Sequence, residues 1–251
     1  TNNVVGLSLG AGWWFPPYIP STFPPQVMLQ LHVEGADVGS NGHPVVVTDT
    51  SWLTSPGPIT SNSLYNGETY DGRIAAAMEG WSTPAFPAAK LAGWKPATNA
   101  SSTSPASNTS HLASQMFQPI AHVQLLAPRG TSSPLPGVQI FDFAQNTAGV
   151  VRIKFAVGQC AAGTNVTIRH AEALMHPPYG PADGTLYTLN LRGALQTDVY
   201  MYTCIGEANA PTGEAYTPTF TQLGFRYAKI TGLRFPLAER NILPLRFRTR
   251  C

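Results

Sequence analysis

VVRIKFAV (Val150–Val157) and NVTIRHAEAL (Asn165–Leu174) decide the fold, because in both runs apolar residues recur with a period of two. Val151, Ile153, Phe155 and Val157 share a face opposite Arg152 and Lys154, and Val166, Ile168, His170 and Glu172 share the next. That period belongs to a strand with one buried face. VMLQLHV repeats it with Val27, Leu29, Leu31 and Val33, and DVYMYT (Asp198–Thr203) and FRYAKIT (Phe225–Thr231) add two more runs. Pro56-Gly57-Pro58, Gly158, Ala162-Gly163 and Asp183-Gly184 punctuate them as turns. Such spacing suits stacked antiparallel sheets. No helical period of useful length interrupts it, so an all-β chain is expected.

Composition agrees. With 251 residues and 43% hydrophobic content the chain can bury a core, while charged residues reach only 11% against a usual share of about 25%. Gly and Pro number 23 each, which disfavours long helices. A net charge of +2, with only four lysines, argues against a phosphate-neutralising surface, so no nucleic-acid partner is expected. No apolar run approaches the roughly 18 residues of a membrane span.

The stretch ATNASSTSPASNTSHLAS (97–114) lacks apolar periodicity and reads as a linker. It divides the chain into a first module (1–96), a linker (97–117), a second module (118–235) and a basic tail (236–251). Five of the eleven arginines lie between Arg234 and Arg250, four of them in that tail. Sequons stand at Asn99, Asn108 and Asn165; three of them beside a Ser/Thr/Pro-rich stretch favour a secreted glycoprotein. The three cysteines lack zinc-site spacing. Cys160 and Cys204 each close a strand-like run and can pair in an oxidising compartment, leaving Cys251 free or intermolecular.

TDTSWLTSPGPITSNSLYNGETYDGRIAAAMEGWSTPAF (Thr48–Phe86) resembles the amino-terminal module of bacterial-type α-L-rhamnosidases. FDFAQNTAGVVRIKF (Phe141–Phe155), TNVTIRHAEAL (Thr164–Leu174), DGTLYTLNLRGALQTDVY (Asp183–Tyr200) and FTQLGFRYAKITGL (Phe220–Leu233) resemble the module that follows it in that family. The resemblance implies two consecutive antiparallel β-sandwiches, one jelly-roll-like with its start truncated and one concanavalin-like. It also implies that the catalytic (α/α) barrel would follow Leu233. Inverting hydrolysis needs two carboxyls about 6.5–9.5 Å apart. None of the acids here matches the family's catalytic pair, so this chain alone is expected to be inactive.

Sugar contact is the chemistry the sequence offers. Tyr65, Asn66, Glu68, Tyr70 and Asp71 combine aromatic faces with groups that bind hydroxyls, and Asn66 with Glu68 could ligate Ca²⁺ through oxygen. Some family members bind rhamnose through calcium in the corresponding module. Ala11, however, stands where the family carries Asn or Asp. The bland alternative is that Glu68 and Asp71 pin a turn and pair with Arg73. Trp13 and Trp14 could form a stacking platform or fill a core, whereas Trp52, Trp81 and Trp94 read as core. His170 and Glu172 on one strand face suggest a general base with its orienting carboxylate or a buried pair, and Gln145-Asn146 a turn. The expected partners are glycans, rhamnose-containing ones among them. The alternative is a structural subunit that self-associates through sheet edges or Cys251.

Overall fold

The structure is a computed structural model, and the residues described are 3–12, 26–31, 46–99, 116, 118–156, 161–203 and 213–249, without the side chains of 247–249. Cys160, Cys204 and Cys251 lie outside them. The first part of the chain supplies β1 (Gln30–Leu31), β2 (Val46–Val47), β3 (Leu53–Thr54), β4 (Ile59–Ser63), β5 (Gly67–Asp71), α1 (Gly72–Ala77) and β6 (Lys95–Pro96). Next come β7 (Ile120–Leu125), β8 (Gly130–Ser132), β9 (Val138–Phe155), β10 (Asn165–Ala171), β11 (Ala173–Leu174) and β12 (Leu186–Tyr187). The last are β13 (Thr197–Met201), β14 (Glu214–Tyr216), β15 (Leu223–Thr231) and β16 (Ile242–Thr249). The all-β sandwich reading holds.

Ten strands form one curled sheet in the order β4-β5-β13-β10-β15-β9-β16-β7, with β8 and β14 also paired to β9. The 18-residue β9 makes the curl. Its first part pairs with β15 and β8, and from Gly149 onward it pairs with β16 and then β14. The strand thereby passes from one layer to the other. Gly149 sits at the crossing, where an added Cβ would lie 2.2 Å from the Leu245 carbonyl oxygen.

Just before the crossing, residues 143–146 bulge opposite Arg226 alone. Ala144 takes a positive φ of 63°, and Asp142 Oδ1 accepts its N–H at 2.7 Å. The Arg226 fork closes on the same carboxylate with two 2.8 Å bonds and holds its pKa below the usual range. Gln145 and Asn146 therefore lie in a bulge rather than a turn.

Between the layers pack Phe141, Phe143, Val151, Ile153 and Phe155 of β9, with Val166, Ile168, Tyr200, Tyr202, Phe225 and Ile230. These are the faces that the period of two assigned. Three expectations need correction. Residues 242–249 are a strand between β9 and β7, not a tail, with Leu237 and Ile242 fully buried ahead of and within it. In the first module, among the described residues of VMLQLHV, Gln30–Leu31 forms a strand, and Val27 and Leu31 are exposed. Trp81 and Trp94 sit 6.3 Å apart in a partly exposed cluster with Phe86, apart from the core, while half-buried Trp52 donates to the Val47 carbonyl.

Ile153 pairs with both β14 and β16 and is fully buried. Ile153→Ala is expected to cost about 2–5 kcal/mol, read as a lowered urea midpoint.

Candidate functional site

The segment singled out for sugar contact is a hairpin turn docked on the second module. Ser63 Oγ accepts the N–H groups of Tyr65 and Asn66, which shapes the turn between β4 and β5. Its carbonyls then face outward: Tyr65 O accepts from Gln196 N–H and Asn66 O from Thr197 N–H, while Asn66 Oδ1 accepts from Leu195 N–H at 3.3 Å. Gly67 is required here, since φ is +100° and a Cβ would fall 2.1 Å from the Thr197 oxygen. From that point β5 runs parallel to β13, with Thr69, Tyr70 and Asp71 opposite Val199, Tyr200 and Met201.

Glu68 is fully buried in this seam. One carboxylate oxygen accepts from Tyr216 Oη at 3.2 Å, and the other accepts the N–H groups of Thr219 at 3.0 Å and Phe220 at 3.1 Å. Its own N–H donates to Asp198 Oδ1 at 2.8 Å. Asp198 is also fully buried, and burial pushes its pKa up to about 7. Diagonally across β10 lies buried His170, whose pKa burial pushes down to about 4. His170 Nδ1 faces the Gln196 carbonyl at 3.1 Å, so Nδ1 carries the proton and Nε2 is the bare nitrogen, 3.9 Å from Asp198 Oδ2. The pair is a neutral imidazole beside a carboxyl that holds its proton into the neutral range.

Aromatic rings extend the seam. Tyr70 stacks at 5.9 Å on Tyr200, which stacks at 4.9 Å on Tyr216 and at 5.2 Å on Phe155. Tyr200 donates to Glu214, which also accepts from the N–H and hydroxyl of Thr203. Asp71 caps α1 by accepting Arg73 N–H and binds the Arg73 guanidinium at 2.8–3.0 Å, which holds its pKa down.

The turn-pinning alternative is thus what the geometry supports. Glu68 and half-buried Asn66 have their oxygens engaged by protein donors, so neither is free to ligate a surface cation. Tyr70 is half-buried in the stack and Asp71 is held by Arg73. Among the described residues no cluster of three His, Cys, Asp or Glu could hold a metal. Trp13, Trp14 and Asn108 lie outside the described residues, while Asn99 and Asn165 are exposed. His170 and Glu172 do not come together: β10 ends at Ala171, and Glu172 is exposed, accepting from Asn146 at 2.7 Å and Asn190 at 3.2 Å. Asp198 and Tyr216 went unnoticed in the sequence. The only signal was a lone acid opening the apolar run VYMY.

Both portions of the chain match known family models. Residues 1–124 match the alpha-L-rhamnosidase N-terminal domain, and residues 133–245 the bacterial alpha-L-rhamnosidase concanavalin-like domain. The chain belongs to the α-L-rhamnosidase family. An α-L-rhamnosidase of Streptomyces avermitilis is 37% identical over 83% of this chain, and one of Alteromonas sp. is 33% identical over 92%. This chain spans only 18% and 23% of those two proteins. The solved α-L-rhamnosidase from Dictyoglumus thermophilum superposes with a TM-score of 0.68 at 36% identity over 82% of this chain and 20% of its own. The Streptomyces avermitilis enzyme, solved with L-rhamnose, gives 0.68 at 32% identity over 81% of this chain and 18% of its own.

The buried pair makes stability depend on pH with opposed signs. Folded Asp198 keeps a proton that an unfolded aspartate loses near 3.8, so its contribution falls as pH rises from 3.8 to about 7. Folded His170 refuses a proton that an unfolded histidine takes near 6.5, so its contribution falls as pH drops from 6.5 to about 4. Asp198→Asn keeps the acceptor for Glu68 N–H and removes the first slope. Its urea midpoint is expected to rise more steeply than the wild-type midpoint between pH 5 and 6.5.

Glu68→Leu is expected to strand the buried Tyr216 hydroxyl at about 1–3 kcal/mol and to release the part-buried N–H groups of Thr219 and Phe220 at less, with Glu68→Gln milder. Equilibrium denaturation of the two variants side by side checks this.

Proposed function

We propose that this chain is the non-catalytic β-sandwich portion of an α-L-rhamnosidase, extracellular, glycosylated, and associated with rhamnose-containing glycans. The observation that carries the reading is the single sheet in which the β4-β5 hairpin of the amino-terminal domain is built into the concanavalin-like domain, over a chain that resembles rhamnosidases throughout both.

The described carboxyls support the non-catalytic part. A general acid must hold a proton and reach its substrate. Asp71, Asp142 and Asp183 are held below the ordinary range by Arg73, Arg226 and Thr185. Asp198, with its raised pKa, is sealed in the seam. The exposure of Asn99 and Asn165 supports glycan attachment at those sequons. No helix among the described residues is long and apolar enough to cross a membrane.

The test is affinity electrophoresis of the 251-residue chain in gels containing a neutral rhamnose polysaccharide, run with an aryl α-L-rhamnoside hydrolysis assay. Retardation by the polysaccharide without hydrolysis is the expected result. Free migration removes the glycan association, and turnover removes the non-catalytic assignment.

A further inference from the structure

Arg169 on β10 and Lys229 on β15 are direct cross-strand partners. Their neighbours Ile168, His170, Ala228 and Ile230 are fully buried, so the two cations stand together on the opposite, outer face, each half-buried. Like charges directly opposed on a sheet are destabilising, and a neighbouring acid is the usual remedy. Among the described residues no carboxylate serves this pair. Asp142 is held by Arg226, Asp71 by Arg73, and Glu172 by Asn146 and Asn190. Arg169 donates through Nη2 to Thr188 Oγ1 at 3.3 Å, and its Nε is closed to solvent without a hydrogen-bond partner. Burial and the Arg169 charge both lower the pKa of Lys229, as expected for two uncompensated cations.

The surroundings narrow the chemistry of the missing anion. Thr167 and Thr231 are cross-strand partners one step along the same face, and Thr197 stands opposite Arg169 on β13. Beside them, His176, Tyr179 and Tyr187 form a triangle with ring centroids 5.3–5.6 Å apart, and Tyr179 is 56% exposed. Tyr187 directly precedes the Thr188 that Arg169 binds. The threonines and the two cations make a polar strip beside the apolar cluster of Ile140, Ala171, Leu186 and Tyr227, with the aromatic triangle reached through Thr188. With a net charge of only +2, nonspecific attraction of polyanions is weak.

We propose that Arg169 and Lys229 bind the carboxylate of a uronic acid unit in an acidic polysaccharide, with sugar C–H faces stacked on Tyr179 and Tyr187. The carboxylate neutralises both cations at once and is the planar, two-oxygen partner that a guanidinium fits. This site deepens, and rests on, the glycan association proposed above.

The experiment is affinity electrophoresis of the 251-residue chain in gels containing polygalacturonate, with a neutral rhamnose polysaccharide in parallel gels at the same ionic strength. Polygalacturonate is expected to retard the wild type, with free sodium galacturonate competing and sodium sulfate at equal ionic strength failing to compete. Lys229→Gln, Arg169→Gln and Tyr179→Ala should each weaken retention, the first two roughly tenfold or more, while exposed Lys154→Gln leaves it unchanged. Lys229→Gln also relieves the like-charge contact, so its melting temperature should equal or exceed the wild-type value. Equal retention of wild type and the cation variants, or equal competition by sulfate, overturns the site. Retention on the neutral polymer but not on polygalacturonate overturns this site and leaves the rhamnose association standing. The reverse pattern supports the site and removes rhamnose from that association.

Discussion

The burial of the Glu68 carboxylate constrains everything around it. A carboxyl group removed from water is costly unless donors replace the solvent. Glu68 receives three, from Tyr216 and from two successive N–H groups at Thr219 and Phe220, and its own N–H goes to Asp198. These groups come from β5, β13, β14 and the segment leading into β15. Satisfying one side chain thus fixes four stretches of backbone in mutual position, and the parallel pairing of β5 with β13 follows.

That pairing erases the boundary a linear reading places between two modules. The hairpin is in the first matched domain and the strand beside it in the second, yet they share one sheet and one aromatic stack of Tyr70, Tyr200 and Tyr216. The carboxyl with the strongest upward shift, Asp198, sits where it serves the fold and cannot meet a solvent-borne substrate. On the outer face of β10 and β15, by contrast, half-buried Arg169 and Lys229 face each other with no carboxylate beside them among the described residues.

Much of the sheet was legible in the residues. Val151, Ile153, Phe155, Val166 and Ile168 are core residues, as their alternation requires. The last strand was not, because Pro244 and the arginines of LPLRFRTR look like a tail, although Arg246, Arg248 and Arg250 themselves repeat with a period of two. In the candidate site, the turn at Tyr65-Asn66-Gly67 and the Asp71–Arg73 pair are local and could be read. The environment of Glu68 depends on residues 148 to 152 positions away and has no local signature. His170 and Glu172 show the same limit: alternation assumes that the strand continues, and β10 ends between them.

By itself the sequence determined the all-β class, the membership of the α-L-rhamnosidase family and the faces of the central strands, since period and turn chemistry act over a few residues. Tertiary structure alone decided that Glu68 is a buried anchor rather than a sugar or calcium ligand, that burial raises the pKa of Asp198, and that Arg169 and Lys229 stand together with no acid beside them among the described residues. Each of these is set by which strands lie side by side and by how much water they exclude, and both depend on contacts between residues far apart in the chain.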